Sequence, residues 1–130
     1  MATINQKVRF NASPAAVYRA LMDENEHAAF TGASAEIDPQ VGGTFVLWDG
    51  YATGTTIELE LNQKIVQEWR ASDWPEGVHS IATFELEAED EDTTELTFTQ
   101  SGVPDSFKDE MAEGWEDFYW KPLATYLERE

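Results

Sequence analysis

Residues 114 to 127 constrain the fold more than any other part of the chain, because large aromatic side chains are crowded into one segment with helical spacing. Apolar residues recur there at steps of three and four, which places them on one stripe of a helix predicted to run from about residue 106 to residue 129. A stripe this apolar has to be covered, so the rest of the chain must supply a surface that packs against it. The predicted stripe consists of Phe107, Met111, Trp115, Phe118, Pro122 or Leu123, and Tyr126.

Pro122 lies inside this predicted helix and disturbs it. Proline has no amide hydrogen, so the carbonyl of Phe118 lacks its usual donor and the ring crowds the preceding turn. We therefore expect a kink near Phe118, and a kinked helix can curve over a concave sheet. Core packing is the simpler explanation of the aromatic stripe; an incompletely filled space beneath the helix is the alternative.

The residues before this helix predict a strand, two short helices and a run of antiparallel strands. Alternating polar and apolar residues open the chain, Ser13 and Pro14 begin one helix, and residues 24 to 30 form a second. From residue 33 to residue 102, alternating segments separated by turn signals predict six strands. The predicted order is β-α-α-β-β-β-β-β-β-α, an α+β fold built as a single domain over residues 1–130.

Alternation also assigns individual side chains to faces of these strands. Ile57, Leu59 and Leu61 are predicted to share one face, opposite the glutamates between them. Residues 85 to 95 are rich in acids and predict a hairpin tip whose like charges repel one another. We interpret this run as a solvated turn and not as a metal site.

The charge balance excludes one class of partner. The chain has 26 acidic residues against 8 basic ones and a formal net charge of -18. Binding to nucleic acid needs clustered lysine and arginine, so a nucleic-acid partner is not expected. The acidity either solvates the surface or faces a basic partner.

Cysteine usage and hydropathy bear on the cellular location. The sequence contains no cysteine, which excludes disulfides and thiolate zinc sites and suits a reducing compartment. The first residues alternate in polarity and do not resemble a signal peptide, and no segment is long and apolar enough for a transmembrane helix. We expect a cytoplasmic protein without a membrane partner.

The sequence shows no residue pattern typical of catalysis, metal binding or cofactor binding. His27 follows Glu24 and Glu26, but we predict that it faces solvent and does not bind a metal. His79 is predicted on the outer face of its strand. The serines lack a nucleophile-elbow motif and the glycine pair Gly42-Gly43 lacks the spacing of a phosphate loop. We therefore predict no catalytic residue, no cofactor and no enzyme.

Four short motifs occur in an order that resembles a known family. They are Gly42-Gly43-Thr44-Phe45, Trp69-Arg70, Trp74-Pro75-Glu76-Gly77 and Gly114-Trp115. In this combination the chain resembles, over nearly its whole length, the carboxyl-terminal domain of the activator of the heat shock protein 90 ATPase. The resemblance implies the START-like, Bet v-like helix-grip fold, in which a curved antiparallel sheet surrounds a long carboxyl-terminal helix.

The same resemblance implies a function. It indicates a non-enzymatic binding domain with a co-chaperone role and a heat shock protein 90-type chaperone as partner. In the two-domain activator a separate amino-terminal domain binds the chaperone's middle segment, and 130 residues leave no room for it, so strong ATPase stimulation is not expected. Two alternatives stay open on this fold: a carrier or sensor of a small hydrophobic ligand held between the sheet and the last helix, and an enzyme of the cyclase or hydrolase kind.

Two residue sets follow from these readings. Arg70 either pairs with Glu58, Glu60 and Glu68 on the outer face or contacts a partner protein; Trp74 either packs within its loop or anchors a partner. The second set would surround a ligand cavity, and a filled core of the same residues is the alternative. Its members are Phe30, Phe45, Leu47, Gln67, Trp69, Phe84, Phe98, Trp115 and Phe118.

Overall fold

The computed structural model describes residues 1–128 as one seven-stranded antiparallel sheet with helices packed against it. The strands pair in the order β1-β7-β6-β5-β4-β3-β2, so the first and last strands of the chain are neighbours. The predicted α+β class and order of elements are confirmed. The strands are β1 (Ala2–Phe10), β2 (Ala35–Ile37), β3 (Thr44–Leu47), β4 (Ala52–Glu60), β5 (Lys64–Ala71), β6 (Ser80–Asp90) and β7 (Thr93–Val103).

Two short helices connect β1 to β2, and local capping explains where each begins. In α1 (Pro14–Met22), the hydroxyl of Ser13 accepts a hydrogen bond from the amide of Ala16, and proline occupies the first turn. In α2 (Glu24–Thr31), the carboxylate of Asp23 accepts hydrogen bonds from the first free amides. This helix ends at Gly32, whose φ of 76° is left-handed and suits glycine. Both predicted helices are confirmed.

The last helix is interrupted by one wide turn. It comprises α3 (Lys108–Trp115), a π-helical turn (Glu116–Trp120) and α4 (Lys121–Glu128). The amide of Lys121 donates to the carbonyl of Glu116, five residues back, and Pro122 has no amide to donate. The predicted disturbance near Phe118 is therefore present, as an inserted wide turn. The predicted end of the helix at Arg129 lies outside the described residues.

The wide turn changes which side chains face the sheet. Phe118 is 64% exposed, whereas Tyr119 and Trp120 are buried. A π-turn accommodates one extra residue, so the stripe rotates after Trp115 and the next inward positions fall at 119 and 120. The prediction that Phe118 packs against the sheet is wrong for this reason, while Trp115 and Leu123 are buried as predicted.

A bulge in β4 changes the faces of that strand in a similar way. Thr56 pairs with Gln67 and Glu58 with Val66, so Ile57 is an extra residue without an opposite partner. The bulge leaves Ile57 exposed and Thr56 buried, and Leu61 beyond the strand end is also exposed. The prediction that Ile57, Leu59 and Leu61 share one packed face is therefore wrong, although Leu59 packs against the core.

Candidate functional site

A chain of buried hydrogen bonds fixes the middle of the last helix to the sheet. The indole of Trp115 donates to the Oε1 atom of Gln100 on β7 over 2.8 Å. The amide of Gln100 donates to the hydroxyl of Ser80, which donates to the carbonyl of Trp69. Each polar group in this series of hydrogen bonds has a partner, so the buried side chain of Gln100 stabilises the core.

A second tryptophan of the same helix is held by a second glutamine. The indole of Trp120 donates to Gln6 on β1 over 2.7 Å, and the amide of Gln6 donates to the carbonyl of Ala112. The rings of Trp115 and Trp120 are stacked, with an interplanar angle of 21°. Two neighbouring strands therefore anchor the helix at two points, which leaves little freedom for it to lift from the sheet.

The space enclosed by α1, α2, the π-turn and the sheet is almost filled. Phe45, Leu47, Gln67 and Phe84 surround a void of about 10 Å³, which has room for a single water molecule. Phe30 and Phe98, also expected around a cavity, are buried in the surrounding core. A void of this size is too small for an apolar ligand of drug size, which needs several hundred cubic ångströms.

His27 lies beside this void and is buried. Its side chain is 1% exposed, and its Nε2 atom is 2.6 Å from the hydroxyl of Tyr119. Burial lowers the pKa of His27 to about 4 and raises the pKa of Tyr119, so both groups are neutral at neutral pH. The prediction that His27 faces solvent is wrong. Its position three residues before Phe30, on the packed face of α2, is the sequence signal that indicates burial.

Neither a metal site nor a membrane span is found in the described part of the chain. No group of three or more histidine, cysteine, aspartate or glutamate side chains within residues 1–128 is arranged to hold a metal ion. Over the same residues, no helix is both long enough and apolar enough to cross a bilayer. His79 is exposed as predicted, but it lies in the loop before β6 and not on the strand, with its Nδ1 atom 3.2 Å from the carbonyl of Gly77.

Arg70 and Trp74 together stabilise one loop. The guanidinium of Arg70 donates to the carbonyls of Trp74, Pro75 and Val78 at 2.6–3.0 Å. It therefore closes the loop after β5 and does not pair with Glu58, Glu60 or Glu68. Trp74 is 3% exposed and packs against the rings of Trp69 and Phe107. The loop-packing alternative is correct for Trp74, because a buried ring cannot anchor a partner.

An open apolar groove lies beside α3, at the surface. Its volume is about 330 Å³. Three residues expected around an internal cavity, Trp69, Trp115 and Phe118, meet in this groove instead. The complete lining is Trp48, Tyr51, Trp69, Glu110, Met111, Gly114, Trp115 and Phe118.

A strained turn supplies the side of the groove opposite the helix. Trp48, Asp49 and Gly50 have φ values of 50°, 57° and 100°, and a bulky residue such as tryptophan rarely adopts a positive φ. The carboxylate of Asp49 accepts hydrogen bonds from the hydroxyl and amide of Ser34, which lower the pKa of Asp49. The sequence does not predict that this turn presents Trp48 and Tyr51 to a groove, because the facing helix lies far along the chain.

Comparisons with known proteins agree on one family. Residues 11–128 match the family described as "Activator of Hsp90 ATPase homolog 1-like protein". The chain is 33% identical over 121 residues to the activator of 90 kDa heat shock protein ATPase homolog 1 of Homo sapiens, and 31% identical over 114 residues to the corresponding homolog of Dictyostelium discoideum. The matches cover 92% and 88% of this chain.

A solved structure supports the relationship over the whole fold. The crystal structure of an HSP90 activator from Plasmodium falciparum superposes with a TM-score of 0.91 at 26% identity, over 98% of this chain and 96% of that one. The chain spans only about a third of the length of the two curated relatives, 35% of the human protein and 30% of the Dictyostelium protein. With its fold, its motifs and most of its length matched, the chain belongs to the Activator of Hsp90 ATPase homolog 1-like family.

Proposed function

We propose that this chain is a protein-binding domain with a co-chaperone role and that its partner is an Hsp90-type chaperone. The observation that carries the proposal is the contrast between a filled interior and an open aromatic groove at the surface. A domain with room for only about one water inside has its binding capacity on the outside. Membership of a family of ATPase activators supports a chaperone as the partner.

The geometry gives less support to the other two functions. A carrier that encloses a small hydrophobic ligand needs an internal cavity, whereas the enclosed void is about 10 Å³ and the larger groove beside α3 is open to solvent. An enzyme needs reactive groups that a substrate can reach. His27 and Tyr119 form a buried polar pair, but both are sealed from solvent and neutral.

We further propose that the isolated chain binds the chaperone weakly. The chain matches about a third of the curated activators, so contacts made by the remainder of those proteins are absent from the matched region. Linking two binding modules raises avidity by ~10²–10⁴ through effective concentration, and one module by itself lacks that gain.

Titration of the protein into the Hsp90-type chaperone of its own host, with ATP turnover measured alongside, tests both statements. We expect saturable but weak binding and at most slight stimulation. Because the chain is strongly acidic, a Glu87→Gln, Glu91→Gln variant serves as a control for binding driven by charge alone. Absence of contact even at high concentration would remove the co-chaperone role. Strong stimulation would instead refute the proposed weakness of the single domain.

A further inference from the structure

The groove beside α3 combines exposed aromatic rings with negative charge. Phe118 and Tyr51 are exposed, and the carboxylate of Glu110 lies in the lining. Burial raises the pKa of Tyr51, and the negative charges of Asp73 and Glu110 raise it further, so both carboxylates act electrostatically on the Tyr51 hydroxyl.

These two carboxylates are not neutralised within the described chain. Neither Asp73 nor Glu110 forms an ion pair with another of residues 1–128, although six other pairs are present in that range. The groove lining contains no lysine or arginine. A cation entering the groove would therefore meet uncompensated negative charge beside the faces of aromatic rings.

Two local irregularities hold this groove open. The π-turn after Trp115 turns Phe118 outward, and the strained turn at Trp48 and Asp49 sets the opposite side. π-turns and positive-φ residues both cost free energy and both recur at functional sites. Their presence on the two sides of one groove supports a role for the groove beyond packing.

We propose that this groove binds a segment of a partner protein that presents an arginine or lysine beside an apolar side chain. The proposal rests on the proposed binding function and adds the surface and the chemistry of the contact. A cation over an aromatic face is stabilised by the ring quadrupole, and arginine also stacks on such rings. The adjacent apolar side chain covers Met111 and Trp115 at the floor of the groove. About 330 Å³ accommodates a pair of side chains.

Matched peptides test the chemistry without the chaperone. The probe is a capped hexapeptide in which leucine and arginine alternate, compared with the same peptide carrying citrulline in place of arginine. Binding is followed by chemical shifts of the isotope-labelled 130-residue protein. We expect the arginine peptide to shift resonances of Trp48, Tyr51 and Phe118, and the citrulline peptide to bind about tenfold more weakly.

Two charge variants separate the groove from the general acidity of the protein. The pair Asp73→Asn, Glu110→Gln should reduce the affinity for the arginine peptide to that of the citrulline peptide. The pair Glu87→Gln, Glu91→Gln removes the same charge from the distant hairpin and should leave the affinity within about twofold. Phe118→Ala, at an exposed position, should weaken both peptides, with the Trp115 indole resonance confirming that the fold is kept.

Four results would overturn the proposal. They are equal binding of the arginine and citrulline peptides, equal loss of affinity in the two charge variants, shifts confined to residues outside the groove, and binding of hexylguanidinium as tight as that of the peptide. The last result would indicate a site for a small cation. If the peptide binds in the groove but the chaperone does not bind the protein, the groove proposal stands and the proposed partner is wrong. If the chaperone binds but the peptide does not enter the groove, the proposed partner stands and the groove proposal is wrong.

Discussion

The buried pair of His27 and Tyr119 shows how a single residue ties stability to pH. His27 donates or accepts only through its bond to the tyrosine hydroxyl, and its Nδ1 atom has no partner among the described residues. Protonation would place a positive charge in a site closed to water, at a high cost in free energy. The folded protein therefore holds this imidazole neutral where the unfolded chain would protonate it.

A pH series measures this effect. The pKa of His27 is lowered from 6.5 in the unfolded chain to about 4 in the fold. The contribution of neutral His27 to the free energy of unfolding is complete above pH 6.5. It is lost as the pH falls below 6.5, and it no longer changes below about pH 4. Between pH 7 and pH 5 the free energy of unfolding should fall by about 2 kcal/mol more in the wild type than in His27→Gln. Parallel curves from urea unfolding would assign the loss to other groups.

Truncation to alanine should lower the free energy of unfolding strongly at Trp115 and only slightly at Phe118, three residues later. Trp115→Ala should cost about 3–5 kcal/mol, because it removes a buried ring. It also leaves the amide oxygen of Gln100 without its donor. Phe118→Ala should change the free energy of unfolding by less than about 0.5 kcal/mol, as at other exposed positions.

Chemical denaturation of the two variants gives both values. If Phe118→Ala lowered the free energy of unfolding strongly and Trp115→Ala only slightly, the apolar stripe would lie on the opposite face of the last helix. Trp115→Phe is the matched control, because it keeps an aromatic ring in the core while it removes the indole donor and part of the ring volume; its cost should be intermediate.

The residues that sequence reasoning misplaced depend on partners distant in the chain. Trp115 follows from local spacing alone and was placed correctly. The spacing of His27 to Phe30 indicates burial, but its hydrogen-bond partner Tyr119 is 92 residues away and cannot be predicted from the local sequence. Arg70 was expected to find acids nearby, but three carbonyls of a folded loop satisfy its donors better than exposed carboxylates do.

At the scale of elements, local sequence patterns predict the order and type of the helices and strands. They do not predict the irregularities within those elements. Alternation and capping residues predict every strand and both short helices. The bulge at Ile57 exists only in the register between β4 and β5, which alternation within one strand cannot show. Pro122 predicts that the helix is disturbed, but whether it kinks or widens depends on the sheet beneath. The groove arises from these irregularities, so it was not predicted.

The hairpin formed by β6 and β7 carries repulsion that its neighbour relieves only in part. Arg9 and Lys7 on β1 form ion pairs with Glu89 and Glu95. Glu87 is directly opposite Glu95 in the ladder, and like charges in that arrangement are destabilising. The tip beyond Glu89 contains further acids, so we expect the hairpin to remain electrostatically strained where β1 does not reach.

Salt should relieve this strain. We expect the melting temperature of the wild type to rise between low and high sodium chloride, and Glu87→Gln, Glu91→Gln to be more stable at low salt with a smaller rise. The control is Glu76→Gln, Glu113→Gln, which removes the same charge from exposed positions outside the hairpin. If both variants lose the salt response equally, the net charge of -18 as a whole is responsible.

At the scale of the whole molecule, the fold joins its beginning to its end. β1 is an edge strand whose single partner is β7. Gln6 on β1 bonds to Trp120, 114 residues later, and Asn11 bonds to Glu128. The sheet and the last helix therefore depend on each other, and neither buries its apolar face alone.

This closure has a consequence for how the chain folds as it is made. β1 bears Ile4, Val8 and Phe10, and in the sheet its backbone pairs with β7, which is synthesised about 90 residues later. The glutamine that it contributes to the helix is satisfied later still. Contacts this distant in sequence slow folding. We therefore expect β1 to remain without its native partners until the last helix has been synthesised.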